Sequence, residues 1–470
     1  MNFLVQRDRS RNIRSFEYAS LTIKSCFFLI IILSFTVGIN LNTTTAETSL
    51  TRNDSLESRK LIILSIDGFP AYYLKSTYVM DSLPNLKKFF SNSVGGRVKT
   101  VDPSLTYPAH TSMITGVDPG IHGIEGNTPI DPYNIEDGAW LWYRADNKSK
   151  TIVDYAKDIG LSTASVFWPV SVGRFTDWNI PQIWRTKTEE DWNLLSQLST
   201  PELFMEMKTT VGIPVSEITK DDAKIRTGLQ IFKDKNPNLL LIYSTDVDSF
   251  HHWKGPYSPE ALARLKATDT YLGELIDSID LYNRKDLGLI IVSDHGFHTA
   301  TRICRPNRHL IDMGMLNPNK KDWFYYFKSS GGLAYLISNP QYSKTELPNI
   351  DLMDLNTRLQ KTCPTTKFYS NGDAFLDRKR NSHPKALAFL ESNKSVFLSS
   401  SWDDKYFSTS EKGIHTHGFP SNFEQMDTIA FFYGNPSEKV NGDGDNISMT
   451  SVKDVFKVSC NWLKLSCPKQ

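Results

Sequence analysis

The stretch "KLIILSIDGF", residues 60–69, decides the fold. Its aliphatic run is broken only by Ser65 and stops at Asp67 and Gly68. A half-buried strand would alternate apolar and polar residues; an unbroken run is covered on both faces, as parallel strands are. The same design recurs in "NLLLIYSTDVD" (238–248) and "DLGLIIVSDHGF" (286–297), and more weakly in "STASVFWP" (162–169). Helical patterns lie between them. The clearest begins at Ser258, a capping residue followed by Pro259 at the first turn, and carries Leu262, Leu265, Leu272, Leu275, Ile276 and Ile279 on its apolar face. Strands alternating with helices predict an α/β fold, a doubly wound sheet flanked by helices. That architecture places ligands at the carboxyl ends of its strands. Residues 304–405 break the rhythm and are richer in Pro, Asn and Ser, so an inserted smaller subdomain or long loops beside the site are expected there. No internal repeat is visible, and the folded body is expected over 59–470.

Charge and composition narrow the function. Lys and Arg number 53 against 52 Asp and Glu, and 40% of residues are apolar, so the chain has a sizeable core and no basic stripe for duplex nucleic acid. The amino terminus is unlike the rest. Arg7, Arg9, Arg11, Arg14 and Lys24 precede "SCFFLIIILSFTVGI", residues 25–39. This run is shorter than the roughly 20 residues of a bilayer span, and suits a signal-peptide core with cleavage after Ala46. An uncleaved anchor is the alternative, with 47–58 a polar linker. Either way the body is expected outside the cytoplasm, secreted or periplasmic, with membrane attachment only through this segment. No second run of that length occurs, so a carboxy-terminal anchor is not expected. Outside Cys26 in the apolar run, Cys304, Cys363, Cys460 and Cys467 allow three connectivities, of which Cys304–Cys363 with Cys460–Cys467 is the pairing expected; a zinc site from these cysteines is not expected, because no close C-x-x-C pair exists. Asn42, Asn53, Asn147, Asn393 and Asn446 head glycosylation sequons.

The chemistry lies at the strand ends. Asp67 follows one buried strand, Asp248 and His252 follow a second, Asp294 and His295 a third, and His417 comes late in "GIHTHGFPSN". Carboxylates and imidazoles gathered on one rim need a cation to neutralise them, and two Zn²⁺ ions would do so, since Asp and His are zinc ligands of catalytic sites. Asp248 and His252, four apart on one helical turn, can chelate one ion. Singly, each residue reads as readily as a turn or cap residue or a solvated pair. Thr106 in "SLTYPAHTSMITG" (104–116) stands at or just before a helix start, with Pro108 in the first turn. Free N–H groups there favour an anion, and a zinc-bound hydroxyl loses its proton more readily. Thr106 could equally be only a cap.

Taken in order, "SIDGF", "TYPAHTSMITGVDPGIHGIEGNT", "DVDSFHHWKGP", "SDHGF" and "THGF" resemble the type I phosphodiesterase/nucleotide pyrophosphatase (ectonucleotide pyrophosphatase/phosphodiesterase) family of the alkaline phosphatase superfamily. "DGAWLWYRAD", "VFWPVSVG" and "WNIPQIWR" look most like its compact bacterial-type members, without the additional modules of the large animal ones. The resemblance implies an alkaline-phosphatase-like mixed sheet and two zinc ions per chain. One would be held by Asp248, His252 and His417, the other by Asp67, Asp294, His295 and Thr106. It also makes Thr106 the nucleophile, Asn127 the donor to a non-bridging phosphate oxygen, and Tyr107 an aromatic that stacks on a nucleobase. His110 and His122 match positions that are not ligands and are expected to be structural. His309 and His383 could line the pocket or lie on the surface.

The activity implied is hydrolysis of phosphodiester or nucleotide pyrophosphate bonds through a phospho-threonine intermediate, releasing nucleoside monophosphates from a small-molecule substrate. The same metals could instead serve a phosphomonoesterase or phosphonate hydrolase. A non-catalytic surface binding protein would be expected to have lost a ligand or the nucleophile, and none is lost here.

Overall fold

The computed structural model describes residues 59–136, 138–173, 175–184, 188–212, 219–392, 395–434 and 448–468. The amino-terminal segment and linker, and the sequons at Asn42, Asn53, Asn393 and Asn446, lie outside them. Seven strands form the central sheet. In chain order the first six are β1 (Lys60–Ile66), β2 (Val94–Val98), β3 (Thr163–Val166), β4 (Trp178–Ile180), β5 (Leu239–Ser244) and β6 (Leu287–Val292). The seventh, Thr428–Tyr433, lies between β2 and β6, and the order across the sheet is β2, Thr428–Tyr433, β6, β1, β5, β3, β4. β1 runs parallel to both neighbours, with Ile62 opposite Leu240 on one side and Leu289 on the other. β3 is parallel to β5 and β4, and only Thr428–Tyr433 runs antiparallel, which makes the sheet mixed.

Every residue of β1, β5 and β6 is buried, as unbroken apolar runs require. Their side chains meet those of the flanking helices in one core that includes Leu262, Leu265, Leu272, Leu275 and Ile276 of the helix Pro259–Ser278. Ser258 caps that helix, its hydroxyl accepting the Ala261 N–H at 3.2 Å. Because β1, β5 and β6 are adjacent and parallel, their carboxyl ends share one edge of the sheet. Whatever follows them in sequence is brought together in space.

The region after β6 builds differently. The strands Tyr325–Ser329, Leu333–Ser338, Ala388–Ser392 and Thr366–Tyr369 form an antiparallel sheet in that order, over a second core around Phe327, Leu336, Phe389 and Leu390. A third, three-stranded sheet joins His298–Cys304, Val396–Leu398 and Phe407–Thr416, the last of which leads to His417. The two modules touch closely at Gly418, where a Cβ would collide with the Ser330 carbonyl, and whose φ of +82° suits glycine. Among the described residues no helix is long and apolar enough to cross a membrane.

Both expected disulfides are present, Cys304–Cys363 and Cys460–Cys467. The first ties the strand His298–Cys304 to the end of the helix Leu352–Thr362 across 59 residues. Closing a loop of that length removes unfolded-chain entropy worth on the order of 4 kcal/mol. Replacing Cys304 and Cys363 together by alanine should therefore lower the unfolding free energy by about 2–4 kcal/mol in urea titrations; an unchanged midpoint would show that the second core does not depend on the bridge.

Candidate metal centre

Asp67 directly follows β1, and Asp294 lies two residues beyond the end of β6. Asp248 stands in the first turn of the helix Asp246–Lys254, which starts two residues after β5. The turn after β1 admits this convergence because Gly68 has φ +66°, and a Cβ there would sit 3.1 Å from Asp248 Oδ1. Its N–H donates to Asp294 Oδ1 at 3.0 Å, as does that of His295. His295 Nε2 lies 3.2 Å from Asp294 Oδ2, 3.4 Å from Asp67 Oδ1 and 3.5 Å from Thr106 Oγ1. His417 Nε2 lies 3.7 Å from Asp248 Oδ1, and its ring stacks on His295 with centroids 3.6 Å apart.

The proton positions on the three imidazoles follow from their other nitrogens. Nδ1 of His252 faces the His415 carbonyl at 2.9 Å, that of His295 the Gly296 carbonyl at 3.0 Å, and that of His417 the Ser104 carbonyl at 3.0 Å. A carbonyl only accepts, so each Nδ1 must donate, and each neutral ring turns an Nε2 lone pair toward the carboxylates. Those carboxylates offer lone pairs in return. Asp67 Oδ1, Asp248 Oδ1 and Asp294 Oδ2 are buried without a hydrogen-bond partner, while Asp67 Oδ2 accepts from Tyr243 Oη and Asp294 Oδ1 from the two amides. Six lone-pair donors facing one another, three of them anionic, are mutually repulsive until a cation sits among them. Two groups have atoms close enough to share an ion: Asp67, Asp294 and His295, and Asp248, His295 and His417. Oxygen and imidazole donors of this kind suit a divalent ion such as zinc.

Of the seven residues expected to hold metal, the structure brings Asp67, Asp248, Asp294, His295 and His417 into these groups, with Thr106 at their edge. His252 joins more loosely: its Nε2 is 3.6 Å from Asp248 Oδ1, and its ring centroid is 5.1 Å from that of His417. His295, expected on one side only, stands at the seam of both groups. Burial shapes the titration. It raises Asp67 well above the usual carboxylate range, and the Asp248 and Asp294 charges raise it further. Burial also lifts Asp248 to about 6, and holds His295 and His417 well below the usual imidazole range.

Thr106 is the first residue of the helix Thr106–Thr115, and Leu105 occupies the cap position, so the reading of Thr106 as only a cap does not hold. Asn127 accepts the Tyr107 N–H on Oδ1 at 2.9 Å, which fixes its amide beside that helix start and leaves Nδ2 to act as donor. Tyr107 departs from expectation. Its ring is fully buried among Ile124, Val170 and Trp142 and lies 5.3 Å from Trp140, so no face is open to a base. Its apolar position on a wholly buried helix turns it inward. Trp184, 5.6 Å from Trp140, is the exposed ring of this cluster.

His110 and His122 are structural, as expected. His110 bonds the Thr106 carbonyl and Ser65, and His122 bonds Ser112 while accepting the Ile124 N–H. His309 and His383 are both buried, His309 against Thr362 and His383 against Glu125, so a surface position is excluded for either. The Asn147 side chain is also buried and accepts the Ser149 N–H. Sequence reasoning missed the support behind the site. Tyr243 reads as one more core residue of β5, yet its hydroxyl orients Asp67. Asp221 reads as a first-turn acid, yet its carboxylate takes the Thr245 and Asp246 N–H groups and the Ser244 and Thr268 hydroxyls, pinning the β5 turn that delivers Asp248. Lys224, equally buried, lies 3.7 Å from it.

The fold and this centre define an alkaline-phosphatase-like protein with a site able to hold metal ions beside a helix-start hydroxyl. Residues 61–420 match the type I phosphodiesterase / nucleotide pyrophosphatase family, and the chain belongs to that family. Human ectonucleotide pyrophosphatase/phosphodiesterase family member 1 is 29% identical over 440 residues, 87% of this chain and 40% of its own. Venom phosphodiesterase 2 of Crotalus adamanteus is 25% identical over 438 residues, 87% of this chain and 46% of its own. The chain thus spans less than half the length of these relatives. In fold it is similar to murine ectonucleotide pyrophosphatase/phosphodiesterase 5, described in an inactive threonine-to-alanine form in complex with AMP, at a TM-score of 0.60, 18% identity and coverage of 88% and 97% of the two chains.

Two measurements test this account. Asp221→Ala leaves the Lys224 ammonium buried and unpaired, and should cost about 3–5 kcal/mol in denaturant unfolding, whereas Asp221→Leu with Lys224→Met should cost less; equal losses would contradict a paired network. His122 and His251 are each pushed down to about 3 by burial. The unfolded chain then binds the extra protons first, so their contribution to stability is complete above about pH 6.5 and is lost as pH falls toward 3, by up to about 1.4 kcal/mol per unit for each ring. Unfolding midpoints measured from pH 7 to 4 should show this fall, with a shallower slope in His122→Asn.

Proposed function

We propose that this chain hydrolyses phosphodiester or nucleotide pyrophosphate bonds of small-molecule nucleotides, with two zinc ions per chain and a covalent phospho-threonine on Thr106, releasing nucleoside monophosphates. The observation that carries this reading is the convergence of three unpartnered carboxylate oxygens and the histidine Nε2 atoms beside Thr106 Oγ1. Family membership, the relatives' names and the AMP complex of the murine protein support it. Asp248, His252 and His417 would hold one ion, and Asp67, Asp294, His295 and Thr106 the other. When bound, the ions would supply Lewis acidity and neutralise the charge of the carboxylates and phosphoryl oxygens.

The chain's own residues do the rest. Thr106 Oγ attacks phosphorus; the Thr–O–P bond forms, the bond to the leaving oxygen breaks, and the leaving group departs with a proton. Water then attacks the same phosphorus, the Thr–O–P bond breaks, and the hydroxyl is restored, with net retention. Asn127 donates through Nδ2 to a non-bridging oxygen, aided by the free N–H groups of the helix start. A diester phosphate has fewer spare oxygens than a monoester, and one neutral amide matches it. An incoming base would meet the aromatic wall at Trp184 and Trp140, with Tyr107 behind it. Residues 304–405 form the inserted subdomain beside this site. We place the protein outside the cytoplasm, secreted, periplasmic or held by its amino-terminal segment, in keeping with the ecto- and venom relatives and the two disulfides.

Thr106→Ala should reduce turnover of a nitrophenyl nucleotide ester on the order of 10³-fold or more while zinc content by elemental analysis stays near two per chain. A chelator should silence the wild type, and zinc should restore it. Wild-type rates in Thr106→Ala, or faster hydrolysis of nitrophenyl phosphate than of the diester, would overturn the assignment.

A further inference from the structure

Asn127 lies in an irregular stretch: between His122 and Arg144 no helix or strand is present among the described residues. Such a segment must be pinned by side chains if one amide in it is to be held to a fraction of an ångström. From the core side it is held through Asn127 itself, whose Oδ1 accepts the Tyr107 N–H and whose carbonyl accepts the Leu141 N–H at 2.9 Å. The remaining anchors come from the antiparallel sheet module. On one side of Asn127, His383 Nε2 meets Glu125 Oε2 at 2.8 Å, and Tyr335 Oη donates to the Glu125 carbonyl at 3.3 Å. On the other, Lys328 Nζ donates to Thr128 Oγ1 at 2.6 Å and to the Pro129 carbonyl at 3.1 Å.

These are costly groups to spend on mere packing. His383 is almost wholly buried, and its ring lies 4.2 Å from that of Tyr335, which locks both. Lys328 is half-buried, with both of its oxygen partners in this one loop, and partial burial pushes it down to about 8. A partly desolvated ammonium is steadied by the oxygens that replace its water, so the loop and the lysine fix each other.

We propose that His383, Tyr335 and Lys328 are positioning residues that clamp residues 125–129 from both sides and so hold the Asn127 amide in place for the transition state. This rests on the phosphodiesterase reading above for its kinetic consequence. The clamp itself is a statement about the loop. A donor displaced by even a small fraction of its bond length loses transition-state stabilisation while ground-state binding changes little. The anchors should therefore act on kcat through Asn127 and through nothing else.

The test is a mutant cycle on the zinc-loaded, full chain with a nitrophenyl nucleotide ester. Lys328→Met and His383→Ala should each lower kcat about tenfold, with KM within twofold and zinc content unchanged. His383→Gln, which keeps a donor for Glu125, should retain most of the rate. In an Asn127→Ala background neither substitution should lower kcat further; a loss that multiplies with that of Asn127→Ala would mean a general structural role and overturn the proposal. Hydrogen exchange of a peptide spanning 123–130 should accelerate in Lys328→Met and His383→Ala. Should the wild type release no nitrophenol, the phosphodiesterase reading falls, and exchange alone decides the clamp: faster exchange keeps it, unchanged exchange overturns it.

Discussion

Three carboxylates gathered just beyond the ends of adjacent strands, each with a buried oxygen that no hydrogen bond reaches, set the terms for everything else in this molecule. Burial, with their mutual repulsion added, raises Asp67 well above the usual carboxylate range and Asp248 to about 6. Protein hydrogen bonds do not relieve this, because the three nearby imidazoles spend their protons on backbone carbonyls and present lone pairs inward. The arrangement is therefore unstable as an all-protein site and stable as a cation site. Its neighbours are disposed accordingly: Thr106 at a helix start, within reach of His295, and Asn127 held beside it by the next amide.

Holding such a site open requires support that is itself polar and buried. Tyr243 steadies Asp67 from β5, and Asp221 gathers two amides and two hydroxyls at the turn that launches Asp248. Lys224 lies behind both, its ammonium bonded to Thr245 and facing the Phe167 and Tyr243 rings. Gly68 contributes by absence, since any side chain there would press on Asp248. The loop that carries Asn127 depends instead on the second module, which reaches it through Glu125, Thr128 and Pro129. The central sheet thus places the candidate ligands Asp67, Asp248, Asp294 and His295, a strand of the three-stranded sheet leads to His417, and the second module bonds the loop that carries Asn127.

Much of this was legible in residues alone. Unbroken aliphatic runs ending in Asp67, before Asp248 and before Asp294 specify buried parallel strands, and parallel strands that are neighbours must deliver their ends to one edge. The burial of every residue in β1, β5 and β6 follows from the same runs. The cysteine pairing also agreed with expectation. Other features carried no local signal. The family resemblance makes Tyr107 a ligand-facing aromatic, but which way a residue on a wholly buried helix points is set by what packs around the helix. His309 and His383 read as rim or surface groups because their segment is polar, and both are enclosed by partners distant in sequence.

The sequence by itself determined the strand character, the identity of the candidate ligands and the family to which the chain belongs, because these depend on residue type and near-neighbour spacing. Only the tertiary structure decided that His295 stands at the seam of both ligand groups, that Tyr243 and Asp221 brace the carboxylates, and that a separate sheet grips the loop of Asn127. Those facts depend on contacts between residues far apart in the chain, from Asp221 with Thr268 to Asp67 with Tyr243 and Glu125 with His383, and no short stretch of sequence encodes a distance of that kind.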